Sequence, residues 1–132
     1  MNKGKAIVIV GLPGSNKSIF ARRNHPRMPL FANISGSGDL PLLEAALERG
    51  EDCVVTDHLM CLAGMRDTLE NRLNKFGYAV EWKFLANEPA LCLENCRNFY
   101  PADKLSQVES FIRLQGRDYS IPDGSIIYPI PT

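Results

Sequence analysis

The densest chemistry in the chain lies in Gly11-Leu12-Pro13-Gly14-Ser15-Asn16-Lys17-Ser18. A glycine-rich turn that follows an apolar strand and opens a helix turns successive backbone N–H groups toward phosphate oxygens, and the helix adds its positive N-terminal end. In this spacing the lysine reaches the β- and γ-phosphates and the serine hydroxyl takes a place on Mg²⁺. The pattern is that of a P-loop. It implies a nucleoside triphosphate, ATP, with Mg²⁺, held by Gly11, Gly14, Ser15, Asn16, Lys17 and Ser18. One residue departs from the pattern: Asn16 stands where glycine is expected. Glycine there supplies a positive φ or a close backbone approach. Asparagine visits the left-handed region more readily than most residues, so the loop is expected to form. Its side chain either crowds the phosphates or donates a hydrogen bond to one.

Phosphoryl transfer needs further groups. Asp57 ends the apolar run Cys53-Val54-Val55-Thr56. A carboxylate at that strand end can hold the water shell of Mg²⁺; a turn-capping aspartate is the alternative. Asp39 follows the next strand and is the candidate base for the attacking hydroxyl, with a helix N-cap as the competing role. His58 has no partner recognisable in the sequence and reads as a loop histidine. Cations cluster late, at Arg97, Lys104, Arg113 and Arg117. A helical lid over about residues 97–117, hinged near Tyr100-Pro101, would bring Arg97 over the transferring group. Arg66 is a candidate for binding an acceptor phosphate, a solvated helix face being the alternative.

These residues must be positioned by alternating strands and helices. Strands are predicted at about Lys5 to Val10, Leu30 to Ile34, Cys53 to Thr56, Ala79 to Leu85 and Ser125 to Tyr128. Helices are predicted from Lys17 to before His25-Pro26, from Asp39 to Arg49 with Gly50 as the stop, over Leu62 to Phe76, from Glu88-Pro89 onward, and over Ala102 to Leu114. A residue before proline is disfavoured in a helix, and glycine ends one readily. Ser35-Gly36-Ser37-Gly38 is a loop, and Pro129 and Pro131 end the ordered pattern. Strands separated by helices imply right-handed crossovers and a mainly parallel sheet.

A chain of 132 residues suits one domain. Its net charge of zero gives no overall pull toward nucleic acid, although a local basic groove is compatible with it. No apolar run is long enough to span a bilayer, and the first residues do not form an export signal. Cys53, Cys61, Cys92 and Cys96 are therefore expected as reduced, buried thiols of a cytoplasmic protein.

The chain resembles the P-loop kinases of the polynucleotide kinase and zeta-toxin group. The resemblance covers nearly its whole length. Its most specific pieces are Val8-Ile9-Val10-Gly11-Leu12-Pro13-Gly14-Ser15 with Lys17-Ser18-Ile19-Phe20-Ala21-Arg22, Val54-Val55-Thr56-Asp57 followed by Arg66, and Phe76-Gly77-Tyr78 through Phe84. The last is Cys92-Leu93-Glu94-Asn95-Cys96-Arg97 leading to Pro101, Val108, Phe111 and Tyr119. The resemblance implies a single-domain, three-layer α/β P-loop NTPase fold with a five-stranded, mainly parallel sheet and a helical lid. It implies Arg97 as the lid arginine, and ATP and Mg²⁺ as cofactors. The implied reaction is phosphorylation of a hydroxyl on nucleic acid or a nucleotide: a 5′-OH, or a hydroxymethyl base as in bacteriophage relatives. A small-molecule kinase and a non-catalytic ATP-binding regulator are the alternatives. Departures fall at Asn16, at Asp57-His58-Leu59-Met60 where similar kinases carry an asparagine after the aspartate, and at the shortened segment before Asp39.

Overall fold

The computed structural model describes residues 3–36 and 38–132; Met1, Asn2 and Ser37, the last within the expected 35–38 loop, lie outside it. The described elements run β1 (Gly4–Val10), α1 (Lys17–Asn24), β2 (Leu30–Ala32), α2 (Leu40–Arg49), β3 (Cys53–Thr56), a 3₁₀ turn (His58–Cys61), α3 (Ala63–Lys75), β4 (Tyr78–Leu85), α4 (Pro89–Cys96), α5 (Ala102–Asp118) and β5 (Ile127–Tyr128). The five strands form one sheet in the order β2-β3-β1-β4-β5, and every pairing is parallel.

The central place of β1 follows from its sequence. Ala6 to Val10 is apolar without alternation and fully buried, as a strand covered on both faces requires. Alternate residues feed two cores. Ala6, Val8 and Val10 pack with Leu43, Leu47, Leu69, Leu73, Cys92 and Ile112, so α2 to α5 share one face. Ile7 and Ile9 pack with Phe20, Ala21 and Leu85, so α1 covers the other. The three layers are thus unequal. β3 and β4 lie on opposite sides of β1, so the topology reverses there and opens a crevice beyond the carboxyl ends of β1 and β3. Both the glycine loop and Asp57 emerge at that edge.

Several boundaries differ from expectation. β2 stops at Ala32 rather than Ile34, because Asn33 takes a left-handed backbone (φ 54°) that leaves the sheet. The predicted helix from Leu62 is preceded by the 3₁₀ turn, which the Asp57 carboxylate caps by accepting from the Leu59 N–H. α5 runs one turn past Leu114 because Gln115 and Gly116 are buried, with Gly116 seated against Pro89 at the start of α4. The chain beyond β5 is not loose: Ile130 is buried, and the next residues bond back to α1. No helix among the described residues is long and apolar enough to cross a membrane.

Tyr119 locks α5 to the sheet. Its buried hydroxyl donates to the Leu85 carbonyl at 2.7 Å, at the end of β4. Tyr119→Phe leaves that buried acceptor without its partner and should lower the unfolding free energy by about 1–3 kcal/mol. Urea titration should show a lower midpoint with an unchanged slope.

Candidate functional site

The loop after β1 turns on Gly14 at φ 84° and Asn16 at φ 61°. Gly14 admits no side chain, since a Cβ there would collide with the Cys92 carbonyl of α4. Asn95 of α4 also donates to the Gly14 carbonyl at 2.8 Å. α4 therefore lies directly on the glycine loop and fixes its shape. Asn16 occupies the left-handed region, and its side-chain amide donates to the Pro131 carbonyl at 2.7 Å. The side chain is a strut to the C-terminal segment, to which Arg23 adds a second bond at the Thr132 carbonyl. From Lys17 the first N–H groups of α1 have no partner within the helix, as at any helix start, and they face the same loop.

Lys17 bends back over the loop. Its ammonium donates to the carbonyls of Leu12 at 2.9 Å and Gly11 at 3.0 Å. Burial pushes its pKa down, and nearby Cys61, Cys92, Asp57 and Cys96 oppose that shift. Cys61 and Cys92 are themselves pushed up to about 12 and 11 by burial and stay thiols at neutral pH. The Asp57 carboxylate is then the negative charge in that set which favours a protonated Lys17. All four cysteines are buried and unbridged.

Lys17, Ser18, Gly14 and Asn16 line a cleft of about 850 Å³. Its remaining walls come from Ile19 and Arg22 of α1, Asn33, Thr56 and His58 at the strand ends, and Cys96, Phe99, Tyr100, Gln107, Val108 and Phe111 of the α4–α5 region. The predicted lid thus forms one wall. Its far half is anchored, with Gln115 donating to the His58 carbonyl at 2.7 Å and the Ser120 N–H to the Cys61 carbonyl. Its near half is exposed.

Four expectations are corrected by this geometry. Asp57 does not face the cleft. Its carboxylate is 1% exposed and accepts from the Ser35 N–H (2.7 Å), the Ser35 hydroxyl (2.6 Å) and the Leu59 N–H (2.9 Å), so it is a structural clasp and not a presented Mg²⁺ ligand. Asp39 does stand at the start of α2, but its carboxylate accepts from the Ala32 N–H at 2.8 Å and does not line the cleft. Arg97 ends α4 on the solvent side, paired with Glu94 at 2.8 Å. Arg66 is buried, donating to the Met60 and Cys61 carbonyls and the Ser120 hydroxyl and stacked over Phe84, and it does not line this cleft. Ser15 is also sealed: its N–H donates to the Leu12 carbonyl, and its hydroxyl is packed against Gly11.

Other residues take their places. Arg22 is the second cation on the cleft, and its i+4 spacing from Ser18 already put both on one helix face. Phe99 (78% exposed), Tyr100 and Phe111 form an aromatic wall that no sequence period announces. His58 stands at the cleft with its ring edge-to-face on Phe111, centroids 5.3 Å apart, and its Nδ1 3.9 Å from the Asp57 carboxylate. Burial lowers the His58 pKa; Asp57 opposes this and Lys17 adds to it. As a fit for Mg²⁺, the cleft offers the Ser18 hydroxyl and no carboxylate among its described lining residues, which suits an ion carried in by a nucleotide rather than a caged one.

No family model and no curated protein matches the chain. Solved structures do. A gluconokinase from Sinorhizobium meliloti 1021 has a TM-score of 0.59 at 19% identity, covering 100% of this chain and 86% of its own. A kinase candidate from Chloroflexus aurantiacus j-10-fl has a TM-score of 0.58 at 12% identity, covering 98% and 86%. The chain has the P-loop kinase fold: α/β, with an all-parallel five-stranded sheet. At these identities the likeness concerns the fold.

The Asn16 geometry can be tested by paired substitutions. Asn16→Gly keeps the positive φ and loses the Pro131 bond. Asn16→Ala loses the bond and also strains the backbone by about 1–2 kcal/mol. Thermal or urea unfolding should place Asn16→Ala below Asn16→Gly, and equal stabilities would contradict the strained turn.

Proposed function

We propose that the chain is an ATP-dependent phosphotransferase whose acceptor is a hydroxyl on a nucleic acid or nucleotide. The observation that carries this reading is one shared cleft. Lys17, Ser18 and the start of α1 line one wall, and Phe99, Tyr100 and Phe111 line another. The first wall suits a triphosphate. The second suits a planar ring, because every nucleobase has a face that stacks on an aromatic side chain. The grouping with polynucleotide kinases and zeta toxins is part of the same proposal.

In this reading Lys17 leaves the Gly11 and Leu12 carbonyls and follows the charge onto the β- and γ-phosphates, with Arg22 as the second cation over the transferring group. Mg²⁺, when bound, neutralises charge across the phosphate oxygens; Ser18 is the residue placed to hold it. The anchored half of α5 keeps the cleft's geometry, and its exposed half with the 97–101 connection closes over the substrates to exclude water. Arg97 is solvent-side in this arrangement and reaches the phosphates only if the end of α4 turns on closure.

The gluconokinase likeness favours a second acceptor class, a small polyhydroxyl acid. A panel with labelled ATP separates the two: 5′-hydroxyl oligonucleotides, hydroxymethylated DNA, nucleosides and gluconate. Label on nucleic acid or nucleosides is expected, and label on gluconate alone overturns the acceptor assignment. ATP binding without transfer to any acceptor would favour a non-catalytic regulator. Lys17→Ala should lower transfer by at least about 10²-fold with an unchanged circular dichroism spectrum. Phe99→Ala and Phe111→Ala should raise the acceptor KM by about 5- to 150-fold, the equivalent of ~1–3 kcal/mol per stacked ring, while leaving ATP affinity nearly unchanged.

A further inference from the structure

Transfer to a hydroxyl requires something to receive the hydroxyl's proton. The two aspartates that the sequence offers are both committed. Asp57 is sealed beneath Ser35 and Leu59, and Asp39 is bonded to Ala32 outside the cleft. No aspartate or glutamate is among the described residues lining the cleft. Of those lining residues, Lys17 and Arg22 are cations. Burial raises the Cys96 pKa, so that side chain keeps its proton in neutral solution. The one lining side chain with a ring nitrogen free to take a proton near neutrality is His58.

His58 is also held as a proton acceptor must be. It opens the 3₁₀ turn that Asp57 caps, and its carbonyl accepts from Gln115 of α5. Its ring is packed against Phe111 from the same helix. The elements around it present two charged groups, the Asp57 carboxylate and the Lys17 ammonium; Phe111 and Gln115 on α5 are neutral. The carboxylate 3.9 Å from Nδ1 stabilises the imidazolium that proton uptake would create. His58 thus lines the same cleft as Lys17 and Ser18, with its ring against Phe111 of the aromatic wall.

We infer that His58 is the general base of the reaction, taking the proton from the acceptor hydroxyl; this rests on the phosphotransferase reading above. In the step, the acceptor oxygen forms a bond to the γ-phosphorus as the bond from that phosphorus to the diphosphate oxygen breaks. The hydroxyl proton passes to the imidazole, and the nucleoside diphosphate leaves with the bonding pair. The imidazolium then returns its proton to solvent before the next turnover.

The test compares the wild type with His58→Ala and His58→Gln. The assay is labelled-phosphate transfer from ATP to a 5′-hydroxyl oligodeoxynucleotide or to gluconate, whichever the wild type labels, with ATP affinity measured by calorimetry. Both variants should lose on the order of 10²-fold in kcat while binding ATP as the wild type does, because the Gln115 bond is to the backbone and survives substitution. Added imidazole should restore transfer to His58→Ala, where it can fill the vacated space, and not to His58→Gln. A kcat within about threefold of wild type in both variants, or a loss that imidazole does not rescue in His58→Ala, overturns the assignment. A wild type that binds ATP and labels no acceptor overturns the phosphotransferase reading itself.

Discussion

The buried carboxylate of Asp57 is the interaction on which this site depends. Removing a carboxylate from water costs several kcal/mol unless its oxygens are hydrogen-bonded. Here three donors meet it, two from Ser35 in the loop after β2 and one from Leu59 in the turn after β3. Those bonds do more than satisfy the charge. They tie the segments leaving two neighbouring strands to one point at the open edge of the sheet. The same charge lies near Lys17 and beside His58, so a single buried group biases the protonation of both polar walls of the cleft.

Around that point the fold is tied by bonds on one side and exposed on the other. The glycine loop is pressed between β1 and α4 so closely that Gly14 has no room for a methyl group. The strut from Asn16 to Pro131 and the bond from Arg23 to Thr132 brace the start of α1 against the last residues. α5 is fixed through Gln115, Tyr119 and the segment after it, while its first turns and the 97–101 connection carry exposed aromatic side chains.

Much of this was legible in the residues. The apolar run before Gly11, the proline after His25, Gly50 and the apolar face of Leu43, Ala46 and Leu47 each carry a local signal, and the elements fall where those signals place them. The Lys17-Ser18 pair stands where its spacing predicted. The failures share one cause. Asp39, Asp57, Arg66 and Arg97 were assigned by charge and by position along the chain, and neither says where the side chain turns. Arg66 turned inward to donate to the Met60 and Cys61 carbonyls of the 3₁₀ turn. Arg97 turned outward because Glu94 lies one helical turn away. β2 was overestimated because Asn33, like Asn16, takes a left-handed backbone that its residue type permits but does not require.

The amino-acid sequence determined the alternation of strands and helices, the phosphate loop and the ligand class that loop implies, because each is set by neighbours within a few residues. The tertiary structure decided which charged groups line the cleft beside that loop. Asp57 was drawn into the core by donors from two different loops, and the Asn16 amide was bonded to a carbonyl 115 residues on. His58, Arg22 and the aromatic wall were brought to one cleft from separate stretches of chain. Local propensity fixes the backbone's course, but a side chain's direction depends on partners remote in sequence, and only packing brings those together.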